Sequence, residues 1–274
     1  MKPVSLAFYF SSLALCKGVI QRCGNGMKTG FVSLLLVVAG CAAVVRSYAK
    51  LPADWKIVAP PVNALNLARC VTSARERYEV ALSRDSSILI ISPDSALRRR
   101  ADTLKVDGGR LIGFDGGEFG GRISWQPDSG GEQGVASVNP RALIQLRDTV
   151  WALTGLAHLT SNKGQLIRLD RVGTGWRVGE TIDLGAAPEA IVRLPGDTLL
   201  VLAVGRLISI SPSHRVEVLH ENRMWIYTYP TNLIRDRAGA VYLGMMSGVA
   251  RLTPKQGSYK EQWLLPNICD TARP

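Results

Sequence analysis

Apolar residues in this chain fall into short runs separated by Gly-, Asp- and Pro-containing turns, and the pattern repeats. Residues 190–212 read AIVRLPGDTLLVLAVGRLISISP, and residues 232–254 read NLIRDRAGAVYLGMMSGVARLTP. A shift of 42 positions (190 to 232) aligns Ile191 with Leu233, Leu200 with Tyr242, Ile210 with Leu252 and Pro212 with Pro254. In each copy one apolar run meets a Gly/Asp turn, a second meets a Gly turn, and a third closes at Pro. Runs of this length bounded by such turns read as strands. Three strands and a variable fourth, repeating at about 40–45 residues, are the pattern of a β-propeller blade.

The same pattern extends toward the N-terminus. Starts near residues 104, 143, 191 and 233 are spaced by 39, 48 and 42. In the 104 blade, Asp107-Gly108-Gly109 reads as a hairpin turn, and Gly116-Gly117-Glu118-Phe119-Gly120-Gly121 as a wide loop between strands. In the 143 blade the excess length falls in residues 156–164, a loop holding His158 and Asn162. Outer strands are expected at residues 176–182, 216–220 and 259–265. Residues 77–82 (RYEVAL) and 87–92 (SILIIS) form a degenerate first blade. The near-continuous Val/Ile/Leu strands predict sheets buried on both faces by neighbours, and no segment carries a long helical period. The expected fold is all-β: a β-propeller of about five four-stranded blades over residues 62–270, or six if residues 55–82 conceal another. Residues 42–61, with Pro52, Pro60 and Pro61, read as a tether with an entry strand around residues 55–58.

Residues 1–41 change the picture from fold to address. Two apolar runs, residues 1–16 and 31–40 (FVSLLLVVAG), are interrupted by Lys17, Arg22 and Lys28, and neither is long enough to span a bilayer. Met27-Lys28-Thr29 followed by the second run has the layout of a secretory signal, so translation starting at Met27 is a further expectation. Val38-Ala39-Gly40-Cys41 resembles the bacterial lipobox, which implies that Cys41 is acylated and becomes the mature N-terminus. The chain is therefore expected at the periplasmic face of a membrane in a bacterial cell envelope, held there by a lipid anchor.

Of the five cysteines, Cys16 and Cys23 precede that cut and Cys41 is the lipidation candidate. Cys70 and Cys269 remain, one near each end of the folded region. An exported compartment permits a disulfide between them, contributing on the order of 4–5 kcal/mol in the chain-entropy model; two buried free thiols are the alternative. The formal net charge is +11, and four basic residues with no acid precede residue 41, which leaves +7 on the remainder. The arginines are scattered between strands rather than gathered on a reading module, so nucleic acid is not an expected partner. A basic surface does favour anionic lipid or other acidic partners.

Candidate chemistry is sparse. Three histidines and no Gly-x-Ser-x-Gly elbow make a nucleophilic triad a poor reading. His158 has no His or Cys near it at metal-ligand spacing. The glycine-rich loop is not a phosphate loop, since no Gly-Lys-Ser/Thr and no helix follow; Glu118 is its one carboxylate. Trp225, Tyr227 and Tyr229 alternate along what reads as a strand, and could line a binding face or simply pack.

Tyr229-Pro230-Thr231-Asn232, followed by Ala238-Gly239-Ala240-Val241-Tyr242-Leu243-Gly244, resembles the blades of NHL-type propellers and of the senescence-marker/gluconolactonase family, over roughly residues 104–265. The resemblance implies a divalent cation in a central channel, held by Glu, Asn and Asp ligands, and the opening of lactones. Asn232 falls at the position of the family's asparagine, and Glu118 is the carboxylate placed to join it. Where related blades end this strand with Asp, this chain has Gly244-Met245-Met246.

The leading expectation is a non-catalytic, lipid-anchored propeller of the periplasm that acts as a binding or scaffold module. It needs no cofactor, is monomeric, and binds a protein, peptide or glycan through Glu118, His158, Trp225, Tyr227, Tyr229 and Asn232. The alternative is a metal-dependent lactonase-like hydrolase using Glu118 and Asn232. An envelope protein with a purely structural role is the third class.

Overall fold

The computed structural model describes residues 48–61, 76–93 and 101–266. Met27, the lipidation candidate Cys41, and both Cys70 and Cys269 lie outside the described residues.

The described chain is all-β. Three four-stranded antiparallel sheets follow one another, each pairing its strands in chain order. The first holds β4 (Ala101–Val106), β5 (Gly109–Phe114), β6 (Arg122–Pro127) and β7 (Gln133–Ala136). The second holds β8 (Pro140–Leu146), β9 (Thr149–His158), β10 (Ser161–Val172) and β11 (Gly175–Asp183), and the third β12 (Pro188–Arg193), β13 (Leu199–Ala203), β14 (Arg206–Ile210) and β15 (Val216–Glu221). A fourth sheet contains β16 (Asn232–Arg235), β17 (Val241–Met245), β18 (Gly248–Lys255) and β19 (Ser258–Pro266). It is extended by β1 (Trp55–Val58), which pairs antiparallel with β19 from Trp55↔Pro266 to Val58↔Trp263. The degenerate first blade is a hairpin of β2 (Tyr78–Leu82) and β3 (Leu89–Pro93).

The entry strand expected around residues 55–58 is present and forms the fifth strand of the last sheet. One local expectation is corrected. Residues 156–164, expected as a loop, belong almost wholly to a hairpin: β9 and β10 stay in register to the pair Ser161↔His158. The polar residues that suggested a loop are the solvent-facing end of two long strands.

The first strands of the sheets are neighbours in space: β4 lies against β8, β8 against β12, β12 against β16, and β16 against β2. The sheets therefore stand side by side in chain order. Each pair encloses its own core, because successive side chains of a strand point to opposite faces. Along β13, Leu199 and Val201 pack toward Trp151 and Leu153 of the second sheet, while Leu200 and Leu202 pack toward Leu243 and Trp263 of the fourth. Along β17, Val241 and Leu243 join that same core, while Tyr242 packs with Tyr78, Val80 and Leu89 of the β2–β3 hairpin. A fourth core joins Leu111 and Trp125 to Val150 and Ile167.

The β16–β17 turn shows how polar groups are accommodated in such a core. The buried Asp236 carboxylate accepts the Ala240 N–H at 2.8 Å and the Tyr242 hydroxyl at 3.1 Å. Burial, then the neighbouring Asp236 charge, pushes the Tyr242 hydroxyl pKa well above the ordinary tyrosine value.

Two-sided burial predicts a sharp contrast between leucines. Leu202→Ala, in a fully buried position, is expected to cost about 2–5 kcal/mol in chemical denaturation. Leu159→Ala, at 91% exposure, is expected to change stability by no more than about 0.5 kcal/mol.

Candidate functional site

The site begins with prolines. Pro140 opens β8 and Pro188 opens β12. Lacking an N–H, proline is confined to strand starts, edges and bulges. In both strands the register shifts just after it, between Pro140 and Ala142 and between Pro188 and Ala190. The intervening residue, Arg141 or Glu189, is left out of the ladder, and such bulges re-aim side chains next to functional sites. Pro230-Thr231-Asn232 repeats the sequence motif at the start of β16, with Thr231 Oγ1 2.7 Å from Tyr78 O and 3.0 Å from Gly244 O. Arg141, Glu189 and Thr231 all border one cavity of about 800 Å³, together with Arg77 and Glu79 at the start of the β2–β3 hairpin. The three prolines are spaced by 48 and 42 (140, 188, 230), the same intervals as the blade starts. That coincidence, a Pro-x-Ala/Asn triplet in phase with the repeat, was the sequence signal for these residues.

The rim comes from two loops that meet. The tip of the β9–β10 hairpin is Leu159–Thr160, where Leu159 takes a left-handed conformation (φ 53°). Beside it, His158 Nε2 lies 2.7 Å from Glu118 Oε2. Both groups are half-exposed. Glu118 sits in a single 3-10 turn, Gly117–Phe119. The Gly117 N–H donates to Asp115 Oδ1 at 3.0 Å, and Asn139 Nδ2 donates to Gly117 O at 2.9 Å. Arg141 Nη1 donates to the other oxygen of the buried Asp115 at 2.5 Å. The close approach requires glycine at 121, where a Cβ would fall 2.5 Å from Phe114 O and Asn139 Oδ1. Thus the structure joins Glu118 to His158, two candidates 40 residues apart (118 to 158). The tips also expose Phe119 (90%) and Leu159 (91%), far beyond the next large apolar side chain, Tyr229 at 58%.

The aromatic candidates form no strand. Trp225–Thr228 is a one-turn helix, α1, ended by Tyr229 in a left-handed conformation. Asn222 Oδ1 accepts the Met224 N–H at 2.8 Å, which competes with strand pairing and starts the turn. Trp225 is fully buried and donates its indole N–H to Glu261 Oε1 at 3.0 Å. Trp225, Ile226 and Tyr229 border the cavity, whereas Tyr227 is exposed and outside its wall. Arg77 stacks 5.9 Å from the Tyr229 ring centroid.

Glu261 of β19 anchors this wall. Its carboxylate also takes Trp263 Nε1 at 2.7 Å and Asn222 Nδ2 at 2.9 Å, and pairs with His220 Nε2 at 2.8 Å. Burial pushes the carboxyl pKa up, but the bonds from His220, Asn222, Trp263 and Trp225 outweigh it and hold the value below that of an ordinary glutamate.

Asn232 has a different place from the one the channel-cation reading requires. Its Oδ1 accepts the Val80 N–H at 3.0 Å and its Nδ2 donates to Val80 O at 2.7 Å, so the amide pairs β16 to β2 as a backbone group would. It does not border the cavity. With that amide committed and Glu118 paired to His158, these two residues do not fit a shared divalent cation. Among the described residues, no three His, Cys, Asp or Glu side chains converge to hold one.

No family model and no curated protein matches this chain. Solved structures do, at low identity. A streptogramin B lyase is 14% identical over 68% of this chain and 58% of its own, with a TM-score of 0.40. A protein proposed as a 6-phosphogluconolactonase from Bacteroides uniformis is 10% identical over 79% of this chain and 69% of its own, with a TM-score of 0.41. A protein proposed as a gluconolactonase is 16% identical over 79% of this chain and 83% of its own, with a TM-score of 0.38. The chain thus spans less than two thirds of the lyase it matches, and its fold rests on its own strand pairings.

A carboxyl pKa depressed by folding stabilises the protein above the unfolded value, and that contribution is lost as pH falls through the folded value. Stability should therefore drop on acidification through and below the ordinary glutamate range. Glu261→Gln should lower the neutral-pH stability and flatten this part of the pH profile, as measured by thermal unfolding at a series of pH values.

Proposed function

We propose that the chain is a lipid-anchored β-propeller of about five blades at the periplasmic face of a bacterial membrane, and that it binds a ligand in the Arg141–Glu189–Thr231 cavity without transforming it. One observation carries the binding reading. Three successive sheets place the residue that follows a proline, a cation, an anion and a hydroxyl in turn, along one concavity, and in the first two the strand register shifts there. Arg141 is paired to Asp115 and the Thr231 hydroxyl bonds Tyr78 O and Gly244 O, so these side chains brace the frame while bordering the cavity with polar groups and both signs of charge. A volume of about 800 Å³ falls within the usual range for small-molecule sites. The propeller reading is supported by meander sheets standing side by side, and the anchor by the apolar run ending at Cys41. The net charge of +7 that remains beyond residue 40 (11 − 4) is suited to an anionic lipid surface.

The His158–Glu118 pair favours a second reading, hydrolysis at the rim. An imidazole held by a carboxylate is a general base in form, and this version requires no cation at Asn232.

Two measurements separate these. Cells fed a clickable palmitate analogue should label the wild-type chain and leave Cys41→Ser unlabelled; an unlabelled wild type removes the anchor. A panel of lactones should pass through the purified protein unchanged. Turnover that disappears in His158→Ala would replace binding with catalysis.

A further inference from the structure

We infer that the cavity takes a small organic carboxylate that also carries a hydrogen-bond donor, as an amino acid or a short peptide with a free C-terminus does; this rests on the cavity being the ligand site. The argument starts from Arg141. Its side chain is only 10% exposed, and it gives Nη1 to Asp115. Its Nε is buried and has no partner, although the residue borders the cavity. A guanidinium only donates, and a buried donor left unmade costs about 1–3 kcal/mol. An anionic oxygen entering the cavity would satisfy it, and a carboxylate matches the planar fork.

A second guanidinium, Arg77, stands on the same wall and stacks on Tyr229; it forms no ion pair among the described residues. Glu79 also faces the cavity and is in no ion pair among them. Glu79 is exposed to solvent at the cavity edge, and since a carboxylate only accepts, a donor on the ligand would complement it. A simple anion such as phosphate would be repelled by Glu79, and a simple amine would leave Arg141 Nε unanswered. A molecule bearing both groups meets both demands, and Ile226 and Tyr229 offer its body an apolar face.

The test uses the full chain and glycyl-L-phenylalanine, with its C-terminal amide and its N-acetyl form, by calorimetry and thermal shift. The dipeptide should bind and raise Tm. The amide should bind at least tenfold more weakly, because it removes the anion. The N-acetyl form should lose several-fold, and that loss should vanish in Glu79→Gln. Arg141→Lys keeps a cation beside Asp115, so the chain should fold, while affinity falls at least tenfold. Equal binding of acid and amide, or unchanged affinity in a folded Arg141→Lys, overturns the inference. So does no binding of any of the three probes. In that event native mass spectrometry of the purified protein separates the two levels. A different small molecule retained by the wild type leaves the binding reading standing, and none retained removes it as well.

Discussion

Strands that are apolar on both faces cannot rest on a single neighbour, and everything in this structure follows from that constraint. β13 and β17 expose one set of side chains to the sheet before and the alternate set to the sheet after. Removing one sheet would bare the faces of two others. Stability is therefore distributed around the series of cores rather than held in one, and a cavity-forming substitution weakens the one core that its side chain enters.

The cavity uses what this packing leaves over. Where the first strands begin, pairing to neighbouring sheets gives out, and the proline-led bulges at 140 and 188 release one residue each from the ladder. Their side chains are consequently placed by sheet geometry rather than by loops. The wall opposite is positioned by charge. Glu261 gathers two indoles, an amide and an imidazole onto one buried carboxylate and so ties α1 to β15 and β19. A rigid frame with a few fixed polar groups is the usual construction of a selective binding site.

Much of the fold was legible in the sequence, because continuous apolar runs bounded by Gly, Asp and Pro have few other ways to be buried. The site was legible only in fragments. Glu118 and His158 could each be named, but their pairing depends on two hairpins whose approach no local pattern encodes. Trp225, Tyr227 and Tyr229 alternate as a strand would. The helical turn is instead set by Asn222 and by Glu261, which lies 36 residues beyond Trp225 (225 to 261). Asn232 drew attention through its match to the asparagine of the family that the repeat resembles; here its amide gives Val80 a backbone-like partner. Arg141 and Glu189 were not singled out, since nothing in a single repeat marks them. Only the phase of the Pro-x-Ala triplets against the repeat does.

The pairing of β1 with β19 sets an order on events. The strand at the start of the described chain completes the sheet at its end, so this last sheet cannot close until residue 266 has been made and, in an exported chain, delivered across the membrane. Until β1 pairs with it, β19 presents an open edge, the surface on which strands of separate molecules add to one another. The long separation also makes this closure slow relative to the local hairpins. A chain emerging from a translocation pore would hold its earlier meanders formed while its final strands remain open to pairing with a neighbouring molecule. The interval between delivery of β19 and capture by β1 is then the period of greatest risk of aggregation.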